Sequence, residues 1–227
     1  MTRAAGQPAS VYRRLLGSRA DALQPELADY VDGVPRGEAG VGTGSYSFAG
    51  PTRALLKPLF ALLAPSHALF GESGGGVGLR VVNVPHTDAR GRVCLSSTRT
   101  FEFADVTRIM EDTMLAGRDG LLHDFLGRRR FLEVALRLSV SGEGWLRMRS
   151  ERSWLRLGVA RIPLPAMFSA AVDLTERWDA EAACQRVEVT LTNPLFGRIF
   201  AYRGAFTYTP HGGPLHEVDT GAIARRR

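Results

Sequence analysis

Lysine is nearly absent from this chain: Lys57 is the only one, so 28 of the 29 basic residues are arginine. That skew, beside abundant Ala, Gly and Leu, is what a GC-rich coding sequence produces, rather than a surface selected for phosphate contacts. The net charge of +6 and the pI near 10.0 therefore do not by themselves define a nucleic-acid protein. The densest clusters are Arg128 to Arg130, Arg147/Arg149/Arg152/Arg156 and Arg225 to Arg227. They have the charge to hold a phosphate backbone, but no helix-turn-helix, zinc finger or RRM-type aromatic motif accompanies them. They are expected to be solvated faces, with no specific nucleic-acid partner. Cysteine is scarce as well: Cys94 and Cys184 cannot make a disulfide scaffold, and no CxxC or Cys/His spacing points to zinc. Long apolar runs are missing too. The longest, Ala54 to Phe70, is interrupted by Lys57, Pro58, Pro65 and His67, short of the ~18 residues that a membrane span needs. No secretory signal pattern opens the chain, so the cytoplasm is the expected compartment.

What is present reads as one large domain of 227 residues, a size that all-β barrels reach without dividing. Residues 1–9 and 210–227 are rich in Pro, Gly, Ala and charge and are expected to be tails, leaving 10–209 as the domain. Residues 10–31 predict helix, with Ser10 as N-cap, Gly17 as a stop and Pro25 in a first turn. Residues 33–44 are Gly-rich, "SYSF" (45–48) is strand-like, and 51–64 predict a helix bent or restarted at Pro58. The helical part thus covers 10–70. From residue 76 to 209 the apolar period becomes two, as expected of an antiparallel meander. Its strands are expected at 77–83, 92–103, 106–116, 120–126, 130–140, 144–156, 170–178, 185–192 and 198–209. The prolines of "RIPLPAMFS" (161–169) predict a loop or helical turn there. Nine or so strands with short links are best closed as an up-and-down, lipocalin-like β-barrel or a strongly curved sheet with N-terminal helices. The alternative is an α+β helix-grip fold of the START type, against which no long helix follows the last strand.

Several pieces, in this order, carry a family resemblance: "VYRRLLG" (11–17), "TRTFEF" with Arg99, "LLHDFLG" (121–127), "GVARIPLP" (158–165), "TERWDAEA" (175–182), "TNPLFG" (192–197) and "GRIFAYRGAF" (197–206). Together they resemble the largely bacterial domain of unknown function 4166 family, whose members look like stand-alone proteins or modules fused behind dehydrogenase-like or epimerase-like domains. The resemblance implies domain boundaries and no established reaction. This chain departs from it at Tyr30 and Val31, where many members carry a His, and at Asp124, where members often have the Glu of "ERFG".

The candidate site residues follow from register. The glycine run "GESGGGVGLR" (71–80) follows a helix and opens a strand, the reverse of a phosphate-binding loop, and has no Gly-Lys-Ser/Thr. No GxSxG elbow or HExxH is present, and the five histidines are dispersed, so no metal or cofactor is expected. His67 and His86 read as loop residues. His123 and Asp124 are adjacent in a strand, so one of them points inward, and His123 is either a satisfied structural histidine or a catalytic one. If Val172, Leu174 and Trp178 face the interior, so does Glu176; the same rule turns Tyr202 inward with Phe200, Phe206 and Tyr208, and Arg99 inward with Phe101. In 106–116 either Arg108/Met110/Asp112/Met114 or Ile109/Glu111/Thr113/Leu115 faces in, and both sets bring a carboxylate. One reading is an internal Glu176–Arg99 ion pair to which Tyr202 donates. The other is a ligand cavity in which Glu176, Tyr202 and His123 act as acid, base or donor, while Arg99, Phe101, Met110, Glu111, Asp124, Trp178 and Phe206 hold the substrate. The expected function is binding of a hydrophobic small molecule, lipid or polyketide-like, with cofactor-independent cyclisation or isomerisation as the reaction class. The alternative is a non-catalytic carrier or accessory module.

Overall fold

The structure, a computed structural model, describes residues 9–35 and 37–209. Apart from Ala9, the predicted tails, with His211, His216 and the terminal arginines, lie outside the described residues. The chain enters through helix α1 (Val11–Leu16), which Ser10 caps by accepting from the Arg13 N–H at 3.1 Å and which Gly17 ends at φ 57. Helix α2 (Pro25–Asp32) begins at the expected proline. Helix α3 (Lys57–Leu63) also begins where its proline is tolerated, with Pro58 in the first turn instead of at a bend.

Eleven strands follow the alternation: β1 (Gly40–Pro51), β2 (Val77–Thr87), β3 (Val93–Glu102), β4 (Thr107–Ala116), β5 (Leu122–Leu126), β6 (Leu132–Val140), β7 (Leu146–Leu157), β8 (Ala160–Pro163), β9 (Ala171–Asp179), β10 (Cys184–Asn193) and β11 (Gly197–Thr209). Sequence neighbours pair antiparallel from β1 to β7; β7 then pairs with β9, β9 with β10, β10 with β11, and β11 returns to β1. Ten antiparallel strands therefore close into a barrel, the up-and-down class that the meander predicted, and closure leaves no unpaired edge around the ring. β8 stands outside it. The second half of β7, Trp154 to Leu157, pairs with β8, whereas only Leu146 to Arg149 pair with β9.

Three local departures from the expected boundaries have plain causes. β1 is a full 12-residue strand in place of a Gly-rich segment and a short strand, because glycines at 42 and 44 admit close neighbours. A Cβ on Gly42 would lie 2.6 Å from Val81 Cγ1 and 2.8 Å from the Phe206 ring, and one on Gly44 would lie 2.0 Å from the Ala205 carbonyl oxygen. Gly44→Ala is accordingly expected to cost roughly 1–3 kcal/mol, since backbone must move, and Gly42→Ala less, since side chains can give way. Urea denaturation of the two variants checks the order. β2 runs on through Pro85 and His86, paired with β3 but beyond Asn83 where its pairing with β1 stops, a strand end at which proline is tolerated. Residues 161–163, the start of the segment expected as a loop or helical turn, belong instead to the short strand β8, whose single neighbour tolerates Pro163; the expected helical turn is confined to Ala166–Phe168.

The two ends of the barrel differ. Helices α1 and α2 plug one end, where Tyr12, Leu16 and Val31 pack with Leu95, Met114, Leu122, Leu138 and Leu146. Gln24 ties this plug to β9, accepting from the Trp178 N–H at 2.8 Å and donating to its carbonyl at 3.2 Å. At the other end α3 contributes Phe60 to an aromatic cluster with Phe70, Phe101 and Phe200. Gly74 of the glycine run docks there, exchanging backbone hydrogen bonds with Ala49 of β1.

Candidate functional site

Between the plug and the aromatic cluster lies a belt of polar side chains facing inward. It exists because polar residues occupy apolar-parity positions on several strands at similar depth. On β3 and β4, Arg99 stands opposite Met110 and Ser97 opposite Asp112, so Asp112 is the diagonal neighbour of Arg99 and reaches its Nη1 through a carboxylate oxygen. On β5, Asp124 stands opposite Met114. Across the barrel, Glu176 of β9 accepts from Gln185 Nε2 of β10 at 2.8 Å. Tyr202 of β11 faces in beside Tyr46 and Phe101, with ring centroids at 5.7 and 5.6 Å. The plug adds Tyr12, and Tyr30 over Tyr208 at 4.8 Å between ring centroids.

Burial sets the charges of this belt. Desolvation lifts the Glu176 carboxyl to about 7, against the opposing pull of Arg99 and hydrogen bonds from Gln185 and Tyr30. Burial, and after it the neighbouring Asp112, push the Asp124 carboxyl well above its ordinary value, a shift that Arg99 opposes. Burial raises Asp112 too, a shift that the touching Arg99 opposes. The Tyr202 phenol is pushed up to about 12 by burial and stays a donor.

Two features set the belt apart from an ordinary satisfied core. Asp112 Oδ1 and Asp124 Oδ1 are buried and, among the described residues, meet no hydrogen-bond partner, which is costly in a low-dielectric interior. In addition, inward-facing Arg99, Asp124, Val172, Leu174 and Leu191 keep intermediate accessibility inside a closed barrel, so the lumen retains free space. At the plug end, a small cavity of about 40 Å³ is lined by Tyr12, Tyr30, Asn83, Leu95, His86 and Tyr208, among others.

The structure gathers most of the predicted site residues and separates two. Glu176, Tyr202, Arg99, Phe101, Met110, Asp124, Trp178 and Phe206 line the inner wall; the inward face of β4 is the one with Met110, Asp112 and Met114. Glu111 points outward, to His67 Nδ1, and Gly127 N–H donates to its carbonyl at 2.7 Å. His123 is outward as well. Its Nδ1 meets Glu133 at 2.8 Å and its Nε2 meets Asp119 at 3.1 Å. Burial pushes the Glu133 carboxyl up, and hydrogen bonds from His123, Arg156 and Arg161 more than reverse this and hold it below its usual range. Arg161 also lies 3.7 Å over the Trp154 ring, so this outer cluster pins β8 to β7. The pairing expected for Arg99 is corrected too: its ion-pair partner is Asp112, and Glu176 is held by Gln185. Sequence reasoning left Asp112 as one of two alternatives with Glu111, and missed Gln185 and the plug tyrosines, although Gln185 falls in the parity of Val187 and Val189.

The fold and belt thus define a closed antiparallel β-barrel with a polar girdle in an otherwise apolar lumen. The chain belongs to the family described as domain of unknown function DUF4166, whose model matches residues 23–206. It is similar to the uncharacterized protein YndH of Bacillus subtilis (strain 168), 26% identical over 166 residues, covering 73% of this chain and 81% of that protein.

Proposed function

We propose that the barrel binds a hydrophobic small molecule whose hydroxyl or carbonyl group sits against the Arg99, Asp112, Asp124, Glu176 and Tyr202 belt. The observation that carries this reading is the pair of buried carboxyl oxygens, on Asp112 and Asp124, that meet no hydrogen-bond partner among the described residues and border an accessible lumen. A ligand donor there would satisfy them, while the aromatic half of the lumen takes the apolar body. Glu176 favours chemistry over simple carriage. With its carboxyl near neutrality, it can take a proton from a carbon beside a carbonyl and return it elsewhere on the conjugated system, so an isomerisation or cyclisation balances without a cofactor. Tyr202 is suited to donate to the carbonyl as charge develops.

The test combines native mass spectrometry and thermal shift over a panel of hydrophobic hydroxyl- and carbonyl-bearing metabolites. Wild type should retain a ligand and Leu174→Trp, which fills the lumen, should not. Turnover lost in Glu176→Gln with binding retained selects the enzyme, and binding without turnover in either protein selects the carrier. Failure of the wild type to retain any member refutes both.

A further inference from the structure

Among the described residues, ten large apolar side chains are more than one-third exposed, and all ten lie at the α3 end of the barrel. They come from the segment leading into and through α3, the β7–β8 hairpin, the turn after β8 and the β10–β11 turn. Val159 is fully exposed, Leu62 79% and Phe168 71%. These segments adjoin one another: Asn193 Nδ2 donates to the carbonyls of Met167 and Ser169 at 2.9 and 2.8 Å, and the Thr52 N–H donates to the Ile199 carbonyl at 3.1 Å. A contiguous apolar surface on one end of a domain marks an interaction site.

The charge at this end selects the partner. Arg53, Lys57, Arg128, Arg129 and Arg198 are exposed around the apolar tips. Of the acids at the same end, Glu72 is already engaged by Arg108 at 2.8 Å, leaving Asp105 and Glu102, the exposed last residue of β3, against these five cations. A second copy of this face would set like charges against like in a two-fold contact, whereas an anionic lipid surface complements the cations and receives the apolar tips. No helix among the described residues is long and apolar enough to cross a membrane, so the contact is peripheral. Ala9 and Thr209, where the described chain begins and ends, lie at the opposite, plugged end.

We infer that the α3 end of the barrel docks on anionic phospholipid bilayers, inserting side chains such as Leu59, Leu62, Val159 and Phe168 among the headgroups while the surrounding arginines engage lipid phosphates. The docking surface stands apart from the lumen reading; only its use in loading a lipid-soluble ligand rests on that reading.

Flotation of the full chain with vesicles of phosphatidylglycerol and phosphatidylcholine, against phosphatidylcholine alone, tests the surface. Wild type should float with the anionic vesicles and be released as salt rises from ~0.1 to ~0.5 M. Val159→Asp/Phe168→Asp should lower the bound-to-free ratio at least about tenfold, and Arg128→Gln/Arg129→Gln several-fold. Both pairs are solvent-exposed, so unchanged thermal melts should accompany the loss. Leu174→Trp should float like wild type, which separates docking from lumen binding. The inference is overturned if wild type does not float, if the double aspartate variant floats equally well, or if gel filtration shows an oligomer that this variant dissolves, which would make the face a protein contact.

Discussion

Arg99→Met is expected to lower the stability of the fold by roughly 3–5 kcal/mol at neutral pH, because it strands a buried carboxylate. The Asp112 side chain is 1% exposed, and Arg99 is its ion-pair partner; its second oxygen already lacks a donor. Methionine matches the length of the arginine stem and restores no charge, so Asp112 must then be protonated or remain unpaired. A loss of that size approaches the whole stability of an ordinary domain, about 5–15 kcal/mol. The penalty should shrink on acidification, as protonated Asp112 no longer needs the guanidinium, and grow as pH rises. Arg99→Met/Asp112→Leu should recover most of the loss, because a buried ion pair replaced by apolar groups of similar volume is often neutral or better. Urea denaturation of the single and double variants at pH 7 makes the comparison. A loss under about 1 kcal/mol for the single variant would mean that Asp112 is already neutral in the lumen.

The pair also shows where sequence legibility stops. Alternation along a strand turns Glu176, Arg99, Tyr202 and Phe206 inward, and the structure bears this out, because a side-chain period of two needs only local backbone geometry. Which inward groups meet depends on register between strands and on position around the ring. Arg99 pairs with Asp112 across one hydrogen-bonded ladder, while Glu176 belongs to the opposite wall; nothing within "TRTFEF" or "VDLTERW" encodes that separation. The face of β4 was undecidable for a similar reason: both parities are amphipathic, and Glu111 turns outward because the chain around His67 covers it, as the hydrogen bond from the Glu111 N–H to the His67 carbonyl at 2.8 Å shows. For β5 a signal was available. Leu122 and Leu126 share the parity of Asp124, which marks Asp124 as inward and His123 as outward. The contribution of Tyr12 and Tyr30 was out of reach, since it requires knowing which end of the barrel the helices close.

Glu176→Gln should make the protein more stable than wild type above pH 7, by up to about 3 kcal/mol, and equally stable near pH 4. The Glu176 carboxyl sits at about 7 in the folded chain against an ordinary value of 4.5. Below pH 4.5 the group is protonated in both folded and unfolded states, so it contributes no pH dependence. Between 4.5 and 7 the unfolded chain loses its proton and the folded one keeps it, so stability falls as pH rises, levelling off once the folded group ionises. The glutamine keeps the shape and an oxygen to accept from Gln185 Nε2, but never ionises in the lumen. Thermal melts of the two proteins across pH 4 to 9 should therefore converge at the acid end and diverge through neutrality. Parallel curves would show that Glu176 is paired well enough to ionise without cost. Divergence would mean that a carboxyl is kept where an amide folds better, and the lumen chemistry proposed for Glu176 would supply the reason: a group that both holds and releases a proton near neutral pH, facing the lumen, serves a binding or reacting site at the expense of the fold.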